Sequence, residues 1–157
     1  MTNKETIQAF IDRINAHDVD GLTELMTAAH QFIDPHGNEV VGKEKMTTGW
    51  RGYFEWFPVY SIEVNEMFES GDTFATFGFA GGSFKGKAEA LWHLPAAWKA
   101  IVKDGRVEVF VVILSLEFHH RAGAGGPKQI FEGVPLERQH HQVHVGCPPG
   151  SHRRTAA

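Results

Sequence analysis

The sequence predicts an α+β fold. Three N-terminal helices pack on a strongly curved, mainly antiparallel sheet that bends toward a cone or barrel and encloses an apolar pocket. Three observations predict it. Apolar residues recur at helical spacing in three separate stretches before Pro58. From Tyr60 the period changes to two, and turns at Ser70-Gly71-Asp72 and Asp104-Gly105 divide the rest of the domain into strands. Helices with one apolar stripe must cover one face of such a sheet to bury it.

In the first helix, Glu5 to Ala16, Ile7, Phe10, Ile11 and Ile14 fall on one face, with Thr2 or Asn3 as cap. Asp18 can cap a second, short helix carrying Val19, Leu22, Leu25 and Met26, weakened by Gly21. A first strand lies in His30 to Gly42, turning at Pro35-His36-Gly37-Asn38. The third helix starts at Gly42-Lys43 and ends before Pro58, with Met46, Trp50, Tyr53, Phe54 and Phe57 as a broad aromatic stripe. Four antiparallel strands complete the order. They run from Tyr60 to Phe68, Thr73 to Ala80, Glu89 to Lys103 and Arg106 to Phe118, with Gly81 to Lys87 as a loop. Pro95 marks an edge or bulge in the third of these. On that strand Trp92, Leu94, Ala96, Trp98, Ala100 and Val102 share a face, and His93 lies opposite.

A chain of 157 residues fits one domain with a real core. The boundary falls near Phe118. Residues 1–118 hold ten Lys/Arg against 17 Asp/Glu, whereas 119–157 hold five against two. The second segment is rich in Gly, Pro and His without either period, and reads as an irregular, loosely attached or disordered tail. Its His140, His141, His144 and Cys147 match no zinc spacing, and no metal or cofactor is expected. A net charge of −4 gives no reason to expect a nucleic-acid partner. No apolar run approaches membrane length, the first ten residues lack a signal-peptide core, and there is a single cysteine. A cytoplasmic protein is expected.

The stretch HQFIDPHGNEVVG carries the candidate chemistry. Proline pushes the preceding residue toward extended geometry, so Asp34 belongs to a strand or its end. Alternation then places His30, Phe32, Asp34 and His36 on one face. A carboxylate beside an aromatic side chain suits a pocket floor, where disfavouring of its charged form makes it a better base. The same aspartate can also simply cap the turn after it. His30 can donate a proton or orient a ligand. A His30-Asp34-His36 metal site is awkward, because alternate strand residues stand roughly 7 Å apart.

Four stretches resemble a known family: IQAFIDRINAHDVDGLTELM, FIDPHGNEVVGKEKM, WRGYFEWFP and LPAAWKAIVKDGRVEVF. Together they are similar to the NTF2-like α+β cone superfamily, especially its SnoaL-like and ketosteroid-isomerase-like branches. In the isomerase branch the aspartate before that proline is the general base, which implies this role for Asp34. That branch's oxyanion donors, a helix-one tyrosine and a protonated aspartic acid, fall on Phe10 and near Ala96 or Ala97. Neither position can donate. Tyr53 could take over as donor. The Tyr-x-Asp common near the end of the last strand in the SnoaL-like branch is replaced by Val111-Val112-Ile113-Leu114.

The expected function is acid–base chemistry of the isomerase, cyclase, dehydratase or epoxide-hydrolase type. Asp34 is the base, His30 and Tyr53 assist, and a small apolar or aromatic ligand lies among Phe32, Trp50, Phe54, Phe57, Trp92 and Trp98. The alternative is a ligand-binding or protein-association module of the same fold. Apolar residues on both faces of the Phe74–Ala80 and Val107–Phe118 strands predict a homodimer through the sheet.

Overall fold

A computed structural model describes residues 1–114 of the chain; 115–157, and with them the end of the expected last strand, the boundary near Phe118 and the expected tail, lie outside the described residues. Helix α1 (Asn3–Asn15) starts at a capping box. Thr2 Oγ1 accepts from Glu5 N at 3.1 Å, and Glu5 Oε2 accepts from Thr2 N at 2.6 Å. Its inner face buries Ile7, Phe10, Ile11 and Ile14. Asp18 caps α2 (Val19–Glu24) through Gly21 N at 2.9 Å. A Cβ on Gly21 would lie 2.4 Å from Asp18 Oδ2, so the helix-weakening glycine is what lets this cap close.

The chain then forms β1 (Met26–Ile33), β2 (Glu39–Val41), α3 (Lys43–Trp56), β3 (Ser61–Ser70), β4 (Thr73–Ser83), β5 (Leu91–Lys103) and β6 (Arg106–Leu114). Two short 3₁₀ turns, Phe84–Gly86 and Ala88–Ala90, link β4 to β5. The six strands form one mixed sheet in the order β2-β1-β6-β5-β4-β3. It is open, not a closed barrel. One pair, β1 and β6, is parallel, and the remaining pairs are antiparallel. The three helices bury their stripes against one face, as the periodicity implies.

Four local details differ from the sequence reading. The second apolar stretch ends its helix at Glu24, and Met26 already belongs to β1. Residues 39–41 pair back onto β1 as β2, a strand of three residues that is too short for a period to reveal. The Gly81-Gly82 segment is the end of β4, not a loop. Gly82 pairs with Trp92, and a Cβ there would press on that indole at 3.1 Å, so glycine makes room for the ring. His36 is exposed, because alternation stops where the chain leaves β1 at Ile33.

Strand β3 carries a bulge. Val64 pairs with Gly78 and Glu66 with Phe77, which leaves Asn65 as the extra residue of a bulge. On α1's far end, Asn15 mimics a strand neighbour. Its Nδ2 donates to Ile62 O at 2.9 Å and its Oδ1 accepts from Ile62 N at 2.8 Å. Next to it, His17 Nε2 donates to Tyr60 O at 2.8 Å. The start of β3 is thereby clamped to the helical layer. Among the described residues, no helix is long and apolar enough to cross a membrane.

Candidate functional site

Between α3 and the sheet lies a cavity of about 70 Å³. Its walls come from β1 and the turn after it (Phe32, Asp34, Pro35), from α3 (Met46, Trp50, Tyr53), and from Tyr60, Ala80, Trp92 and Val112. Asp34 is the sole charged residue among them. It is 8% exposed, and its face-mates Phe32 and His30 are buried as alternation requires.

The turn fixes the carboxylate. Asp34 Oδ1 accepts from the backbone N–H of His36 (2.8 Å) and of Asn38 (2.9 Å), and Oδ2 accepts from Asn38 Nδ2 (2.8 Å). The backbone closes the same loop through Asp34 N to Asn38 O (2.9 Å) and Gly37 N to Asp34 O (3.0 Å). Gly37 takes φ 82°, which favours glycine. Asp34 therefore caps its turn and faces the cavity at once. Oδ1 is fully engaged, while Oδ2 keeps a free lone pair.

Two phenols line the same cavity. Tyr53 and Tyr60 meet edge to face at 4.9 Å and 88°. Burial pushes both phenols well above their ordinary range, so they stay protonated donors. The sequence marks Tyr60 only as a strand residue. Its inward alternation with Ile62 is a usable signal, but its meeting with Tyr53 needs the turn at Phe57 to Tyr60 (Tyr60 N to Phe57 O, 3.0 Å). Nor does the sequence single out Met46, Pro35, Ala80 and Val112 as lining.

The structure brings Asp34, Phe32, Trp50, Tyr53 and Trp92 into one cavity. Phe54, Phe57, Trp98 and His30 are buried but do not line it. Phe54 stacks on His17 (4.1 Å, 7°) and on Trp50 (5.3 Å, 25°). Phe57 backs the wall, 4.9 Å from Tyr53 and 6.2 Å from Trp92. Phe10, Ala96 and Ala97, to which the resemblance leads for the isomerase donors, also stand outside the lining, and Phe10 packs on Phe110 at 5.2 Å. The indole N–H groups of Trp50 and Trp98 are buried without a hydrogen-bond partner among the described residues. No group of three described His, Cys, Asp or Glu side chains could hold a metal ion.

His30 sits under α1, with its ring 6.1 Å from that of Phe10. Nδ1 donates to Val107 O at 2.7 Å, which ties β1 to β6, and the buried Nε2 has no partner among the described residues. Burial lowers its pKa, outweighing the Val107 bond, which raises it. A histidine depressed on folding binds its proton more readily in the unfolded chain. Its stability contribution is full above the unfolded value, about 6.5, and is lost as pH falls below that. The urea midpoint is expected to drop as pH falls below about 6.5, and less so in His30→Gln. An equal drop in both proteins would clear His30 of the effect.

A family model described as a SnoaL-like domain matches residues 7–120. The chain belongs to the SnoaL-like family. Solved structures place this SnoaL-like domain in the ketosteroid-isomerase-like and NTF2-like fold. A hypothetical protein of ketosteroid isomerase-like fold from Catenulispora acidiphila, in complex with trimethylamine, superposes at TM-score 0.66 with 17% identity, over 73% of this chain and 88% of that one. A candidate SnoaL-like polyketide cyclase from Jannaschia sp. CCS1 does so at 0.66 with 21% identity, over 80% and 93%. A LEH-like epoxide hydrolase of M. tuberculosis reaches 0.66 with 11% identity, over 73% and 84%. At these identities the likeness establishes the fold alone. No protein of curated description matches the sequence.

Proposed function

We propose that this SnoaL-like domain is a small-molecule enzyme of the isomerase, cyclase, dehydratase or epoxide-hydrolase type, acting on an apolar, cyclic substrate with Asp34 as general base. One observation carries the reading: a single carboxylate, held rigid by three N–H donors, faces an otherwise apolar aromatic cavity. Oδ2 takes the proton from the carbon next to a substrate carbonyl, or from a water beside an epoxide. Negative charge then grows on the substrate oxygen. The protonated phenols of Tyr53 and Tyr60, which line the same cavity, are the donors assigned to that oxygen. These phenols take the place of the donors missing at Phe10 and near Ala96 or Ala97. The epoxide hydrolase and cyclase neighbours share the fold in which this chemistry is proposed, and the neighbour holding trimethylamine supports a small ligand.

Asp34→Asn keeps an oxygen for the two backbone donors and loses the base. Across a panel of cyclic ketones and epoxides, its turnover is expected to fall about 10²–10⁴-fold on the best substrate, with the far-ultraviolet spectrum unchanged. Equal turnover by both proteins on every substrate turned over would remove Asp34 as base. The alternative, a non-catalytic ligand-binding module, draws on the same three bonds, since a carboxylate so engaged already has a structural task.

The same reading includes a homodimer through the outer sheet face, in the cytoplasm, in line with a single cysteine. Register puts Phe77, Ala97 and Ile113 in one row across β4, β5 and β6. Phe77 and Ile113 are 44% and 53% exposed, and Phe68, 58% exposed, meets Phe77 edge to face. Light scattering at micromolar concentration is expected to give twice the chain mass, and Phe77→Glu to give a monomer. A monomeric wild type would refute this.

A further inference from the structure

The cavity's wall is a run of aromatic rings that turns corners. Phe32 meets Trp50 at 6.1 Å and 70°, Trp50 meets Tyr53 at 6.1 Å and 88°, Tyr53 meets Tyr60 at 4.9 Å and 88°, and Tyr60 meets Trp92 at 6.0 Å and 45°. Three of the four angles are steep, so the rings that line the space are not laid flat in one plane. Ring faces carry the negative end of the quadrupole, so such a wall attracts a cation, above all one that cannot hydrogen-bond.

Charge points the same way. The lining contains no lysine, arginine or histidine, and its one charged group is the Asp34 carboxylate. None of the ion pairs among the described residues involves Asp34. Its three N–H donors hold the anion in place without supplying a full positive charge. A cation in the cavity completes that balance, whereas an anionic ligand would face both the carboxylate and the rings. The space of about 70 Å³ holds roughly five to seven water-sized groups, at about 10–15 Å³ each. A trimethylammonium head has that size, and a polycyclic skeleton does not.

We propose that the cavity selects small molecules that carry a tertiary or quaternary alkylammonium group, with the cation seated against the Trp50, Tyr53, Tyr60 and Trp92 rings and paired with Asp34. The proposal rests on the reading of this cavity as the ligand site, but not on turnover there. It names the polar end of the ligand.

Choline and its neutral isostere 3,3-dimethyl-1-butanol differ only in the charged nitrogen, so calorimetry with the full chain separates charge from shape. Choline is expected to bind at least about ten-fold more tightly than the alcohol. Asp34→Asn and Trp92→Leu are each expected to erase most of that preference, with circular dichroism confirming that both variants fold. Equal or tighter binding of the alcohol would overturn the cation proposal while keeping the cavity as an apolar ligand site. An undiminished preference in both variants would overturn it too, by placing the cation elsewhere. If neither probe binds while cyclic ketones or epoxides are turned over in an Asp34-dependent way, the ammonium proposal falls and the acid–base reading stands.

Discussion

Gly78→Ala is expected to destabilise the domain by about 3 kcal/mol or more, read as a fall of roughly 10 °C in Tm. A Cβ at this position would lie 1.8 Å from Glu63 O, 2.8 Å from its carbonyl carbon and 3.0 Å from Val64 Cα. All three are backbone atoms, so no side-chain rotation can clear the overlap. Gly78 pairs with Val64, immediately before the bulge at Asn65. Relief requires β3 to move away from β4 where the sheet bends. That movement would shift Ile62 and the start of β3 from the Asn15 and His17 clamps. Tyr60 would shift with them, so ligand affinity should fall along with stability. Gly52 offers a contrast: nothing lies within 4 Å of a Cβ there, and Gly52→Ala in α3 is expected to be neutral or mildly stabilising. A Tm for Gly78→Ala within 2–3 °C of wild type, about 0.6–0.9 kcal/mol on the same scale, would show that the strands part at little cost.

Phe10→Ala is expected to cost about 3–5 kcal/mol. The ring is fully buried and touches both Phe110 and His30. Its loss leaves a void beside an imidazole whose Nε2 has no partner among the described residues. Water admitted there relieves the desolvation that depresses His30. The variant should thus be less stable at neutral pH and less sensitive to acid than wild type. Urea melts of both proteins from pH 7.5 to 5 test both parts. A steep acid limb retained in Phe10→Ala would mean that Phe10 does not shield His30.

Much of the fold was legible because its elements are long. The helices show themselves by Ile7, Phe10, Ile11 and Ile14, and by Met46, Trp50 and Phe54, all of which are buried. Strand β5 announces its inner face through Ala96, Trp98, Ala100 and Val102. The short and the non-local were not legible. Three residues of β2 carry no period, and Gly81-Gly82 looks like a loop until Trp92 is known to lie across from it. Asp34 could be assigned both to a pocket and to a turn, since either is consistent with Asp-Pro in an extended segment, and it does both. Which aromatic residues line the space was harder. Trp50 and Phe54 stand four apart on one helix face, yet only Trp50 reaches the cavity, because Phe54 is held by His17. Spacing along a helix gives direction, not depth. Tyr60 joined the site through a turn and a clamp from α1, contacts between parts of the chain that no local pattern connects.

The parallel pairing of β1 with β6 has a consequence for the chain while it is being made. Phe32 lies beside Phe110 and Met26 beside Val107, so about 80 residues separate the partners. At a synthesis rate of roughly 5–20 residues per second, β1 leaves the ribosome about 4–16 seconds before its neighbour. Until β5 and β6 have both left, its inward face has only the helical layer and the β2 hairpin to cover it, and the cavity lacks Trp92 and Val112. The aromatic wall is therefore the last part of the domain to close, and the nascent chain spends those seconds with Phe32 and Trp50 open to whatever meets them first.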